Sequence, residues 1–244
     1  MRIGIALPQF VEDPEIPIAA AVAAEAAGID GVFVYDHLWR GEPPNRRPAL
    51  ECFALLGALA AETARVSLGT LVARATLRPA ATTANAFATA QRVSEGRVIA
   101  GLGAGDGQSR AENEAYGLPF GTLAERLDRL HETVVATRAH GVPVWIGGTA
   151  ERVAPLVAGA DGWNGWGLEP EALAAAGGIV RAAAPAAALT WGGVARPRED
   201  GVAALADRLA RYAEVGCAWA VLAAADPLDP ANAEIVGEAR RRLA

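Results

Sequence analysis

The chain contains no lysine; all 22 of its strongly basic side chains are arginine. That excludes an enzyme working through a Schiff base on its own lysine, whether an aldolase or a pyridoxal-phosphate protein. Histidine is scarce, with three residues (His37, His131, His140). No two of them stand at a metal-ligand spacing on one element, which argues against a zinc centre. The two cysteines, Cys52 and Cys217, give neither a disulfide framework nor a metal motif. There is no basic run and no aromatic-basic interleaving, and a net charge of −6 opposes a nucleic-acid partner. Long apolar runs are missing too. The opening MRIGIALPQF lacks the core of a signal peptide, and the alanine-rich run from Ile18 to Ala27 is broken by Glu25 and too short to cross a bilayer. These absences lead to the expectation of a soluble cytoplasmic protein with no membrane partner.

What is present is globular: 52% apolar and 20% charged residues over 244 positions. Short β-branched runs alternate with segments of helical period. Strands are expected at Arg2–Pro8, Gly31–Tyr35, Val66–Val72, Arg97–Leu102, Val144–Ile146, Asp161–Trp166, Ala188–Val194 and Ala218–Leu222. The helices expected after them cover 14–27, 48–64, 79–94, 123–139, 150–158, 169–183, 200–215 and 230–243. Strands buried on both faces, each followed by a helix, make a parallel sheet. Eight such units without a linker predict an α/β fold, a single-domain (β/α)8 TIM barrel over residues 1–244, with an open doubly wound sheet as the alternative.

The active site of such a barrel lies at the strand C-terminal ends. His37 is the histidine found there, right after the second strand. It reads as a proton-transfer group, or more simply as a loop histidine bonded to backbone. His131 and His140 fall in or at the end of a helix and read as surface or packing residues. Gly147-Gly148-Thr149 opens a helix directly after a strand, where free amides suit a phosphate; the same residues also make a tight turn with Thr149 as N-cap.

The stretch GRVIAGLGAGDGQSR (96–110) has the look of a dinucleotide-binding turn but fails its test. The third glycine of G-x-G-x-x-G would fall at Asp106, Gln108 or Arg110. Its glycines, including Gly103 and Gly105, read instead as clearance for a flat ring close to the backbone. Asp106 then either points into the barrel mouth or serves as a turn or capping residue.

Three blocks in order, AAEAAGIDGVFVYDHLW (23–39), VSLGTLVARATLRPAATTANAFATAQRVSEGRVIAGLGAGD (66–106) and PVWIGGTAERVAPLVAGADGWN (143–164), resemble the bacterial-luciferase-like superfamily. Within it they resemble the oxidoreductases that use the deazaflavin coenzyme F420. The resemblance implies a (β/α)8 barrel, and hydride transfer between F420 and a small organic substrate. It implies that His37 is the proton donor or acceptor, Asp36 a cofactor contact, Trp39 an aromatic on the substrate side and Asp106 an acid facing the histidine. It implies a non-prolyl cis peptide in a bulge after the third strand, at Leu71–Val72, with Thr70, Leu71 and Val72 backing the ring system. Gly147, Gly148 and Thr149 match the phosphate turn, and a homodimer is common among similar proteins. One departure is that the excursion between strands four and five is short, holding little beyond an Ala111–Tyr116 turn and one helix. Alternatives are an FMN-dependent luciferase-like monooxygenase and a flavin- or deazaflavin-binding barrel without turnover. A barrel hydrolase is disfavoured because no Ser-His-acid or metal constellation is visible.

Overall fold

A closed parallel barrel forms from strands supplied by the whole length of the chain. The computed structural model describes residues 1–41, 46–107 and 109–243; Gln108, within the glycine-rich stretch, lies outside them. The barrel strands are β1 (Arg2–Ala6), β2 (Gly31–Val34), β5 (Ser67–Thr70), β7 (Val98–Gly103), β8 (Val144–Gly147), β9 (Gly162–Trp166), β10 (Ala188–Ala195) and β11 (Trp219–Ala224). Each pairs in parallel with its neighbour in that order, and β1 pairs with both β2 and β11, which closes the circle. The third strand is interrupted. After β5 the peptide Leu71–Val72 is cis, where the resemblance places it, and pairing resumes in β6 (Ala73–Arg74) against Leu102 and Gly103.

Outside the barrel run α1 (Glu15–Ala26), α2 (Cys52–Glu62), α3 (Ala80–Val93), α5 (Leu123–Arg138), α6 (Ala150–Val157), α7 (Pro170–Ala183), α8 (Pro197–Glu214) and α9 (Asn232–Arg241). Local chemistry fixes several starts. Thr122 and Glu125 form a reciprocal capping box at α5. Glu51 accepts from the Ala54 amide, so α2 begins at Cys52 and not at Pro48. The expected helical residues before it are extended, because β3 (Trp39–Arg40) pairs antiparallel with β4 (Arg47–Pro48). The expected start of the seventh helix at Asp200 moves to Pro197, and Gly201, at φ +69°, breaks it. A further short helix, α4 (Ser109–Ala115), stands where only a turn was expected.

Large rings fill the lower barrel. Phe33, Trp145 and Trp219 lie with centroids 5.5–5.9 Å apart, with Leu71, Ile99 and Val221 packed around them. Neighbouring strands present glycine opposite these rings. A Cβ on Gly69 would lie 2.3 Å from Phe33, and one on Gly162 2.9 Å from Trp145. Inward positions are therefore large or absent by turns, so the interior is packed and any ligand must sit above it.

The glycines of the fourth strand, and Gly147 at the end of the fifth, answer to the bulge. A Cβ on Gly101 would meet the Thr70 carbonyl oxygen at 2.0 Å, one on Gly103 would meet Val72 Cγ2 at 2.5 Å, and one on Gly147 would meet Val72 Cγ1 at 2.9 Å. Their bare Cα atoms make room for the Thr70 carbonyl and the Val72 side chain where the third strand bulges. Gly101→Ala is expected to cost about 3 kcal/mol, since backbone cannot yield as a side chain can. At Gly107 a Cβ meets nothing within 4 Å. Gly107→Ala should therefore melt like the wild type in the same thermal scan, and equal melting of the two variants would refute the account.

Candidate active site

The C-terminal ends of β1, β2 and the third strand converge on a buried ionic network. Gln9, fully buried, accepts from the Tyr35 amide at 2.7 Å and donates to the carbonyls of Tyr35 and Leu50 at 2.8 and 2.6 Å. This holds the chain as it leaves β2, just before Asp36 and His37. Asp36 is 2% exposed. Its carboxylate takes a bidentate pair from Arg78, at 2.8 and 3.0 Å, and the Arg74 amide at 2.9 Å. Burial works against the Arg78 charge, but the hydrogen bond and charge of Asp36, then Glu51, raise its pKa above the ordinary value.

Asp36 is therefore tied into the protein's own frame through Arg78 and the Arg74 amide. Its main-chain carbonyl accepts from Arg74 Nε at 2.7 Å. Arg74, 3% exposed, extends on to Glu112 Oε2 at 2.9 Å, and Glu112 Oε1 meets His37 Nδ1 at 2.7 Å. The Leu38 amide also donates to Glu112 Oε2, at 2.7 Å. Burial raises the carboxyl pKa of Glu112, but His37, the Leu38 amide and Arg74 together outweigh it and hold it below its usual 4.5.

An ionised carboxylate can only accept, so Nδ1 of His37 carries the proton and Nε2 is left to exchange one. The imidazole is 36% exposed and lies 6.2 Å from the Phe10 ring. Phe10 in turn stacks on Tyr35 at 5.8 Å. Burial pushes the Tyr35 phenol up to about 12, against the opposing charge of Arg40, so it remains neutral. Trp39 lies on β3 at the edge of this group, stacked on Tyr116 at 6.0 Å and covered by Arg46 at 4.1 Å.

The acid held against His37 is thus Glu112, on α4, and not the expected Asp106. Asp106 is exposed, and its carboxylate accepts from the backbone amide and the hydroxyl of Ser109, both at 2.9 Å. This is the turn-closing role. Gly105, at φ +74°, begins that turn, a conformation that other residues rarely adopt.

Thr70 is also an internal staple, fully buried with its hydroxyl donating to the Gly101 carbonyl at 2.7 Å. Leu71 belongs to the barrel-floor cluster, and the partly buried Val72 packs against it. The mouth above is bordered by Trp166 and Val194, 47% and 53% exposed.

At the end of β8, Gly147 is half-buried and Gly148 and Thr149 are exposed. Gly148 has φ +136°, and its carbonyl accepts from Trp163 Nε1 at 2.9 Å. Thr149 caps α6 without a side-chain bond, and although the Arg152 amide donates to the Thr149 carbonyl at 3.1 Å, the Ala150 and Glu151 amides ahead of it suit an anion. These residues fit a phosphate-bearing ring ligand: a bulged strand and packed floor below, a glycine turn at a helix start beside it. His131 and His140 are exposed on and after α5, away from this cluster. A cavity of about 410 Å³ at the opposite end of the barrel, lined by Arg2, Glu25, Asp30 and Arg65, is no part of it.

Among the described residues no group of three or more His, Cys, Asp or Glu side chains is placed to hold a metal. None of the described helices is long and apolar enough to cross a membrane.

Known proteins share this architecture. A protein from Beutenbergia cavernae named F420-dependent glucose-6-phosphate dehydrogenase is 41% identical over 150 residues, covering 60% of this chain and 42% of that protein. The chain thus spans less than half the length of the curated relatives it matches. An F420-dependent secondary alcohol dehydrogenase, solved with an F420-acetone adduct, superposes with a TM-score of 0.85 at 16% identity, covering 100% of this chain and 99% of that one. The EDTA monooxygenase of Chelativorans gives 0.77 at 13% identity, covering 99% and 94%. At such identities the two structures establish the fold. The sequence profile of the luciferase-like monooxygenase family matches residues 1–140, and the chain belongs to that family.

Proposed function

We propose that the protein is an F420-dependent oxidoreductase acting on a small alcohol, carbonyl compound or activated alkene, with His37 as the proton donor or acceptor. The observation that carries this reading is the 2.7 Å bond from His37 Nδ1 to a buried, ionised Glu112, which fixes the tautomer and leaves Nε2 available. The relatives named F420-dependent glucose-6-phosphate dehydrogenase support the choice of cofactor, as does the barrel shared with an F420-dependent alcohol dehydrogenase.

When bound, F420 supplies a ring carbon that gives or takes a hydride. The chain's own part is position and a proton. The Leu71–Val72 bulge would back the ring and the Gly147–Thr149 turn would hold the phosphate. In oxidation Nε2 of His37 takes the proton of the substrate hydroxyl; in reduction it returns one. Glu112 offsets the charge of the imidazolium so formed, and Arg74 keeps Glu112 ionised. The floor of Phe33, Trp145 and Trp219 excludes water from beneath.

Fluorescence titration of the purified protein with F420 and with FMN tests the cofactor. F420 should be quenched at micromolar concentration, with FMN binding more weakly. Tight FMN binding without any F420 response would move the protein to the flavin monooxygenases. Binding of F420 with no bleaching across a panel of alcohols would leave a carrier. We place the protein in the cytoplasm as a homodimer, and a single 25.1 kDa species in sedimentation velocity would remove the dimer.

A further inference from the structure

Beside the phosphate turn stands a group of arginines that the chemistry above does not use. Arg110 on α4 and Arg126 on α5 both lie over the ring of Phe120, with guanidinium carbons 4.8 and 4.2 Å from its centroid. Phe120 packs against the loop after β7, within 3.6 Å of where a Gly105 Cβ would stand. Arg152 lies in the first turn of α6, three residues beyond Thr149. β7 and β8 are paired neighbours, so the loop after one and the turn after the other share a stretch of the rim.

The cluster is under-compensated. Among the described residues Arg110 has one long ion pair, to Glu114 at 3.6 Å. Arg126 donates from Nη1 to the Gly121 carbonyl, but its buried Nε has no hydrogen-bond partner among the described residues. Burial, then the charges of Arg110 and Arg152, push the Arg126 guanidinium below its ordinary value, with Asp106 as the opposing charge.

We propose that Arg110, Arg126 and Arg152 form a second anion subsite on the rim, which takes the carboxylate-bearing extension of the ligand whose phosphate sits at Gly147–Thr149. This rests on the F420 reading. FMN ends at its phosphate, whereas F420 continues through a lactyl group into a chain of glutamates, each adding a carboxylate. Planar guanidinium groups suit such oxygens, and three of them at an open rim bind a flexible polyanion without needing one fixed register. The same chemistry would also accept a free anion, and the test separates the two.

The experiment is a fluorescence titration of the full chain with F420 carrying five glutamates and with F420 carrying none, at low and high salt. It is repeated on Arg126→Gln and on Arg152→Gln, the latter an exposed residue whose loss leaves the Phe120 packing intact. The wild type should prefer the five-glutamate form by about tenfold at low salt, with the preference shrinking as salt rises. Each variant should lose most of that preference while keeping its affinity for the tail-less form. Equal affinity for the two forms in the wild type overturns the subsite and leaves the F420 reading standing. If neither form binds, the F420 reading falls, and thermal stabilisation by inorganic pyrophosphate decides the subsite. A melting shift that is lost in Arg152→Gln retains an anion site, and no shift in the wild type overturns it.

Discussion

His37→Ala should lower the turnover of an alcohol substrate about a thousandfold, with F420 affinity within a few-fold of wild type. The split follows from the geometry. His37 stands at the edge of the mouth with Nδ1 held by Glu112. The residues assigned to the ring and phosphate lie instead on the third strand and at the start of α6. Glu112→Gln keeps an acceptor for Nδ1 and removes the charge that offsets the imidazolium, so its loss is smaller, roughly tenfold in kcat with little change in KM. Steady-state kinetics with both variants checks the assignment. His37→Ala turning over at the wild-type rate would remove the histidine from the mechanism.

Arg74→Met has the largest expected effect on stability, a loss of about 3–5 kcal/mol. Arg74 is 3% exposed and bridges the Asp36 carbonyl to Glu112, so its removal leaves a buried carboxylate short of its cation. Arg78→Met should cost less, because Arg78 is 19% exposed. The pH dependence has a definite sign. Glu112 has a folded pKa below its usual 4.5, so its stabilisation is complete above about 4.5 and is lost as pH falls through the lower folded value. Without Arg74 the folded pKa rises, and acid destabilisation begins closer to neutral. Urea melts at several pH values measure both effects, and a variant as stable as wild type at pH 7 would show that the network holds little.

Much of the barrel was readable from the alternation of β-branched runs and helical segments, because strands buried on both faces leave a strong apolar signal. His37 was readable because it follows a strand. Its partner was not. Asp106 stands next to the glycines and drew the assignment, while Glu112 lies in a seven-residue helix read as a turn. The pattern Ser109-x-x-Glu112 is a helix-start signature and could have revealed α4. Arg74 and Arg78 sit within an otherwise apolar and small-residue stretch, where an arginine must find a buried carboxylate. The fourth-strand glycines could not be assigned from their own segment, since what they avoid, the Thr70 carbonyl and Val72, belongs to the neighbouring strand.

The stacked floor has an optical consequence. Trp145 and Trp219 are in edge contact, 5.5 Å between centroids, and almost wholly screened from water. Excitation absorbed by one passes readily to the other, and both lie directly beneath the mouth. Flavin and deazaflavin rings absorb in the near ultraviolet, where indole emits. A ring settling on this floor becomes an energy acceptor within contact range of two donors, so the protein carries its own reporter of occupancy.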